Sequence, residues 1–456
     1  MGNVRGSEIK GAQPNSFART FNIFSILVLL FILQSCDGRD LTDGGNDTGI
    51  TTQFNLNVTS EELEVTLNWD KISDENLDLY NLYRSENEGE FILYDTLNIS
   101  ISSFIDTEVT ADIIYEYKIT ALFDGERESD PSEIVRIIPG FTTLWVLDFQ
   151  GDVLRELTHD GAHLTGLFFD NLTLPVALDI DERNGYIYFI DGLNKTLNLI
   201  FEGMTVPAVL TDTTEEKMIR TFEDPTDIDF DMLRNELWIA GGSTGDLYHF
   251  TMINESVWDL TEILNTGGNA LDGQLDLTRG DYWVVNGVGK SIEIFQRRDG
   301  VIIQVSSTGY ASGSLTLALD AERATAYVID RSNGDIFWVK ASGQSTLIAN
   351  IKNAILGAVV PSTGDMWLIA DDDENGIGDL IKLSITGNRI LEIMNIYSEP
   401  MWIGINPVNM NVTVLNTASG EVKIEILSNN TGERLSSFNS INFPGIARIV
   451  DKRNSN

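Results

Sequence analysis

Between Thr52 and about Ile138, apolar and polar residues alternate, with breaks at turn residues. Leu63-Glu64-Val65-Thr66-Leu67-Asn68-Trp69 and Leu77-Asp78-Leu79-Tyr80-Asn81-Leu82-Tyr83-Arg84 are two such runs. A period of two places alternate side chains on opposite faces, so these runs predict half-buried strands. Beyond residue 140 the alternation is organised into a longer unit. An aromatic followed by two apolar residues recurs as Trp145-Val146-Leu147, Tyr188-Phe189-Ile190, Trp238-Ile239-Ala240, Trp283-Val284-Val285, Tyr327-Val328-Ile329 and Trp367-Leu368-Ile369, with Thr413-Val414-Leu415 as a weaker seventh member. Successive members lie 40 to 50 residues apart. That interval accommodates four short strands and their turns.

A second marker stands seven residues before most of these positions: Asp181, Asp231, Asp276, Asp320 and Asn406, with Val360 as the exception. Asp and Asn bond their own backbone in turns, so the marker predicts a tight turn after each inner strand. Asp451 continues the series, but the chain ends at Asn456 with no further aromatic strand. Pro444 to Asp451 is thus an inner strand without a sheet, whereas Leu144-Trp145-Val146-Leu147-Asp148 opens a sheet without an inner strand. Joining the two predicts a closed ring, which removes exposed sheet edges. The implied fold class is all-β, and the repeat over residues 141–451 resembles the NHL-like seven-bladed β-propellers. The preceding segment, residues 52–139, resembles a fibronectin type III β-sandwich: Trp69 ends the second strand, Tyr83-Arg84-Ser85 closes the third, and Tyr115-Glu116-Tyr117-Lys118-Ile119-Thr120-Ala121 matches the strand that carries the tyrosine corner. The resemblance implies that Tyr115 is the corner residue and that Trp69 is core.

The N-terminus predicts export. Arg5, Lys10 and Arg19 precede an apolar run from Phe21 to Leu33, too short to span a bilayer comfortably and of signal-peptide length. It ends in Leu33-Gln34-Ser35-Cys36, which resembles the lipobox of bacterial lipoproteins and makes Cys36, the sole cysteine, the expected lipidated residue after removal of residues 1–35. The acidic, glycine-rich stretch that follows resembles the surface-export signal of Bacteroidetes-type lipoproteins, and residues 36–51 read as a flexible tether. These features imply a lipid-anchored protein of the cell envelope, at the outer membrane. Formal charge is −39, from 69 acidic against 30 basic residues; such a surface repels phosphate backbones and disfavours nucleic acid as a partner.

Candidate chemistry is sparse. The residues expected to end each second strand are Asp148, Asp191, Gly241, Asn286, Asp330, Ala370 and Asn416, which would set acids and amides around one face of the ring. They suit a polar ring for a glycan, peptide or partner protein, or equally a set of hairpin caps. The repeating tryptophans read as packing between sheets; Trp258 and Trp402 fall outside the repeat and are candidates for an exposed platform. His159, His163 and His249 form no metal or catalytic signature, and no nucleophile elbow or phosphate loop is present.

One hairpin is longer than the rest. Asp371-Asp372-Asp373-Glu374-Asn375-Gly376-Ile377-Gly378-Asp379 fits the first nine positions of an EF-hand-type calcium loop and resembles the calcium hairpins of integrin-type propellers. The resemblance assigns Asp371, Asp373, Asn375, the Ile377 carbonyl and Asp379 as ligands of a structural Ca2+ ion. Lys382 stands where an EF-hand carries its bidentate glutamate, and a plain acidic hairpin is the alternative.

The functional expectation is a lipid-anchored binding or interaction module, with a propeller hydrolase or lyase acting on an extracellular substrate as the alternative. Paired carboxyl groups of raised pKa in a deep pocket would favour the enzyme. A flat face with exposed tryptophan would favour binding.

Overall fold

The computed structural model describes residues 54–148, 153–170, 172, 174–212, 222, 224–418, 421–441 and 444–454. The expected alternation is realised first in two small antiparallel sheets. One comprises strands Asn57–Glu61, Glu64–Asn68 and Ser103–Asp106; the other is built on Leu77–Glu86 and Tyr115–Phe123. Their inward residues, among them Trp69, Tyr80, Tyr117 and Ile119, form one core. Trp69 is buried and meets Tyr80 edge-on at 5.8 Å between ring centroids. The Tyr115 hydroxyl accepts the Thr110 N–H at 3.0 Å.

Beyond residue 141 the described residues form seven antiparallel sheets of four principal strands each. Their inner strands are Pro175–Asp181, Asp227–Asp231, Ala270–Asp276, Leu315–Asp320, Ala354–Val359, Pro400–Ile405 and Pro444–Asp451. Each inner strand touches the next, and the last touches the first, so the seven close a ring. Closure uses both ends of this region: Pro444–Asp451 pairs antiparallel with Thr142–Asp148, Ile446 opposite Leu147 and Ile449 opposite Leu144. The repeating aromatics Trp145, Tyr188, Trp238, Trp283, Tyr327 and Trp367 are at most 5% exposed and pack between sheets.

The Asp marker does more than cap its turn. Asp231 accepts the backbone N–H groups of Leu233 and Arg234 and pairs with the Arg234 guanidinium, which reaches on to the Leu277 carbonyl of the next sheet at 2.9 Å. Arg279 on Asp276 bonds Ala321 O, and Arg323 on Asp320 bonds Pro361 O. Each of these arginines therefore ties a turn to its neighbour. The chain carries this as D-x-x-R, of which turn chemistry alone explains only the aspartate.

The described residues belong to one compact unit. The small sheets are joined to the ring by His159: its Nε2 lies 3.0 Å from Asp112 Oδ1 and its Nδ1 lies 2.6 Å from Thr142 Oγ1, while Asn409 Nδ2 also donates to Asp112. His163 Nε2 donates to the Arg136 carbonyl at 2.8 Å. The two histidines are thus inter-module contacts. Cys36, the signal segment and the tether lie outside the described residues.

Candidate functional site

Inner strands of neighbouring sheets do not form a ladder with one another, so their channel-facing N–H groups need side-chain acceptors. Asp179 Oδ2 accepts Phe230 N–H at 2.7 Å, Asp227 Oδ2 accepts Gly273 N–H at 3.0 Å, and Asp272 Oδ2 accepts Leu317 N–H at 3.0 Å. Gln274 Oε1 accepts Leu319 N–H while its Nε2 donates to Leu317 O. Three carboxylates and one amide thereby bind consecutive strands into the ring. Their sequence positions are two and four residues before the turn marker, on the same strand face as it.

Asp227, Asp272 and Gln274 line a cavity of about 530 Å³ between the inner strands. Its walls differ. Asp227, Asp229, Asp272 and Gln274 form one side, with Asp179 adjoining through Arg448; Leu319, Leu356, Ile403 and Trp402 form the other. Arg448, from the last strand, is the cation of the acidic side, 3.3 Å from Asp179 Oδ1 and 3.8 Å from Asp227 Oδ1. Burial holds its neighbours above the ordinary carboxylate range. Desolvation pushes Asp227 up to about 7 and Asp272 up to about 6, and raises Asp179, with Arg448 opposing the change in each case. Asp229 is held well above its ordinary value, by desolvation first and then by the charges of Asp227 and Asp179.

Asp229 differs from the other three. Its Oδ2 is buried without a well-formed hydrogen bond. The Tyr282 hydroxyl beside it likewise makes no well-formed bond, although the two lie close enough to perturb each other's ionisation. Tyr282 is held by stacking on Trp238 at 5.2 Å, and its hydroxyl reaches inward because residue 273 is glycine: a Cβ there would meet it at 2.0 Å. Across the cavity, Trp402 folds over Gly404, where a Cβ would meet the indole at 2.1 Å.

The residues expected on the rim stand opposite the first residues of the inner strands: Asp191, Asn286 and Asp330 end their strands facing Pro175, Ala270 and Leu315, and Asn416 faces Pro400 two residues before its strand ends at Ala418. Their side chains are engaged in turns. Asp191 accepts the N–H groups of Leu193 and Asn194; Asp330 accepts from Ser312 and Ser332; Asn286 bonds Thr266 O and Gly289 N; Asn416 accepts Glu399 N–H. The Asp148 backbone pairs with Pro444 at the same rim, and its side chain lies outside the described residues. Of the two tryptophans expected to form a platform, Trp402 lines the cavity, whereas Trp258 is fully buried against Tyr188 and Phe230 and is no exposed platform. Its off-register place arises because it sits on Val257–Asn265, the outer strand of the sheet built on Asp227–Asp231, whose inward face is core.

The long hairpin joins strands Met366–Ala370 and Gly378–Leu383. Asp371 accepts the N–H groups of Asn375 and Gly376, Asp373 accepts from Asn375, and Asn375 Oδ1 accepts Ile377 N–H; Asp379 is buried at the start of the following strand. Among the described residues, no three histidine, cysteine or acidic side chains are arranged to hold a metal ion.

No family model matches the chain. A curated relative, an amylopullulanase of Thermoanaerobacter thermohydrosulfuricus, is 29% identical over 132 residues, which is 28% of this chain and 9% of that protein's length. Among solved structures, proteins of Bacteroides uniformis and Bacteroides fragilis, each described as a candidate 6-phosphogluconolactonase, match with a TM-score of 0.51 and 12% identity over 68% of this chain and 99% and 98% of theirs. A protein of Lactobacillus plantarum matches at 0.50 and 12% over the same share of this chain and 99% of its own. At such identity the likeness speaks for fold alone, and with the closed ring of four-stranded sheets it makes the chain an all-β protein of β-propeller-like fold.

Proposed function

We propose that this is an exported, lipid-anchored binding protein, with a fibronectin type III-like sandwich at residues 52–139 and a seven-bladed propeller at 141–451 that captures a small ligand in its central cavity. The observation that carries the reading is the cavity's two unlike walls, one carboxyl-rich with a weakly satisfied Asp229 oxygen, the other aliphatic with Trp402. A pocket of that size and mixed lining suits a small molecule or the end of a glycan or peptide. The lipid at Cys36 and the outer-membrane address rest on the signal-like N-terminus. Screening the soluble form that begins after Asp47 against glycans, peptides and small metabolites by thermal shift tests the reading. A ligand that stabilises the native chain but not Trp402→Ala supports it; ligands indifferent to Trp402 and Asp229 oppose it.

A hydrolase or lyase is the second reading, favoured by the raised pKa of Asp227 and Asp229 side by side in one cavity. Against it, the only hydroxyl-bearing residues among those described as lining the cavity are Thr226 and Thr316, and both donate to backbone carbonyls of the next strand. Turnover of any captured ligand, lost in Asp229→Asn, would establish the enzyme.

Calcium at Asp371–Asp379 rests on loop spacing and on Gly376 at φ 85°, the sharp turn such loops need. Calorimetric titration of the metal-free protein tests it, with one site abolished by joint Asp371→Ala and Asp373→Ala as the supporting result and no heat at millimolar calcium as the contrary one.

A further inference from the structure

The cavity's charge balance specifies its ligand beyond size. Four carboxyl groups, Asp179, Asp227, Asp229 and Asp272, share a single guanidinium, and Arg448 is committed to two of them. Three of the four each place one oxygen on a neighbouring strand's N–H. Asp229 Oδ2 takes no strand N–H and is buried without a well-formed bond, with only the Tyr282 hydroxyl close enough to perturb it, a weakly satisfied position that a stronger donor improves. The Tyr282 hydroxyl is fixed by the Trp238 stack and does not complete a good bond to it. The facing wall of Leu319, Leu356, Ile403 and Trp402 has no charged group to offset desolvation of an ionic ligand end. A bound molecule must therefore be charged or donor-rich on one side and apolar on the other.

We propose that the cavity binds an organic amine in its ammonium form, which donates to Asp229 Oδ2 on the acidic side and lays its carbon body against Leu356, Ile403 and Trp402. This rests on the reading of the cavity as the ligand site. An ammonium supplies the stronger donor and the missing positive charge together, and an indole face attracts cations held near it. The chain's formal charge of −39 draws cations toward the protein from outside.

Binding of this kind releases protons. Burial pushes Asp227 up to about 7 and Asp272 up to about 6, so a cation arriving beside them favours their carboxylate forms and expels protons. Affinity should rise with pH through that window.

The test compares matched pairs, cyclohexylamine with cyclohexanol and benzylamine with benzyl alcohol, both amines remaining protonated at either pH, by calorimetric titration of the soluble full-length mature chain at pH 5.5 and 8. The expected result is that at least one amine binds roughly tenfold or more tightly than its alcohol at pH 8, an energy of about 1.4 kcal/mol. It should bind more weakly at pH 5.5 and release protons detectable in buffers of different ionisation enthalpy. Asp229→Asn should remove the preference while keeping the native circular dichroism, and Glu262→Gln, a carboxyl on an outer strand, should leave it intact. If the alcohols bind as well as the amines with Trp402 still required, the cavity remains the site and the amine inference is overturned. If neither class binds in a way that Trp402→Ala or Asp229→Asn alters, both fall.

Discussion

Arg448 Nε lies 3.3 Å from Asp179 Oδ1, joining the last inner strand to the first across 269 residues of chain. The same guanidinium stands 3.8 Å from Asp227 on the next strand. Ring closure and the electrostatics of the cavity thus depend on one side chain. Its removal leaves buried carboxyl groups without their counter-charge, a change that typically costs about 3 to 5 kcal/mol. Arg448→Met should lower stability by roughly 3 kcal/mol at pH 8 and by clearly less at pH 5, where the orphaned carboxyls are neutral. Urea unfolding at the two pH values measures both; equal losses would contradict the pairing.

The cavity acids also set a sign for the pH dependence of the native chain. Their folded pKa values lie above the unfolded ones, so between pH 4 and 7 the folded state holds more protons, and their contribution falls as pH rises. Asp229→Asn removes a carboxyl held well above its ordinary range. Ionising that buried carboxyl is unfavourable in the folded state, so the variant should be more stable than the native chain at pH 8. The difference should vanish near pH 4. A destabilised Asp229→Asn at pH 8 would contradict a protonated or strained carboxyl there.

Arg279 ties the Asp276 turn to Ala321 O of the next sheet. Hydrogen bonds to a charged donor contribute about 1.5 to 3 kcal/mol, so Arg279→Ala should lower stability within that range. Arg279→Lys should recover little of it, because the planar fork bonds the aspartate and the carbonyl together. Thermal melts of the two variants decide; full rescue by lysine would reduce the contact to simple charge.

His159 and Asp112 hold the small sheets against the ring, with Asp112 kept below its ordinary pKa first by the His159 hydrogen bond. That carboxylate's contribution is present above about pH 4 and lost as pH falls through its depressed folded value. Asp112→Ala should therefore separate one calorimetric transition into two at neutral pH. A single unshifted transition would mean that other contacts, such as His163 on the Arg136 carbonyl, suffice to couple the modules.

Much of this was legible in the chain. The spacing of Trp145, Tyr188, Trp238, Trp283, Tyr327 and Trp367 follows from one buried position per sheet, and the unmatched strand at Pro444–Asp451 predicted its pairing with Thr142–Asp148. The candidate site was harder to read. Asp179, Asp227, Asp229 and Asp272 stand on inner strands beside turn-capping aspartates of the same type, and only three adjacent strands carry them. Sequence spacing separates a rim from an interior poorly, because Asp191 and Asp330 look like ligands until their turn bonds are seen. Tyr282 escaped notice for another reason: it precedes the repeating aromatic by one residue and acts through a neighbouring sheet's Trp238.

The central claim is that the ligand enters the channel. Hydrogen–deuterium exchange of the soluble chain, with and without a ligand that stabilises it, tests this most directly. Protection should be confined to the inner strands at 227–231, 270–276 and 400–405 and should disappear in Trp402→Ala. Protection on outer strands such as 257–265 or 301–308, or on the small sheets, with the inner strands unchanged, would contradict it.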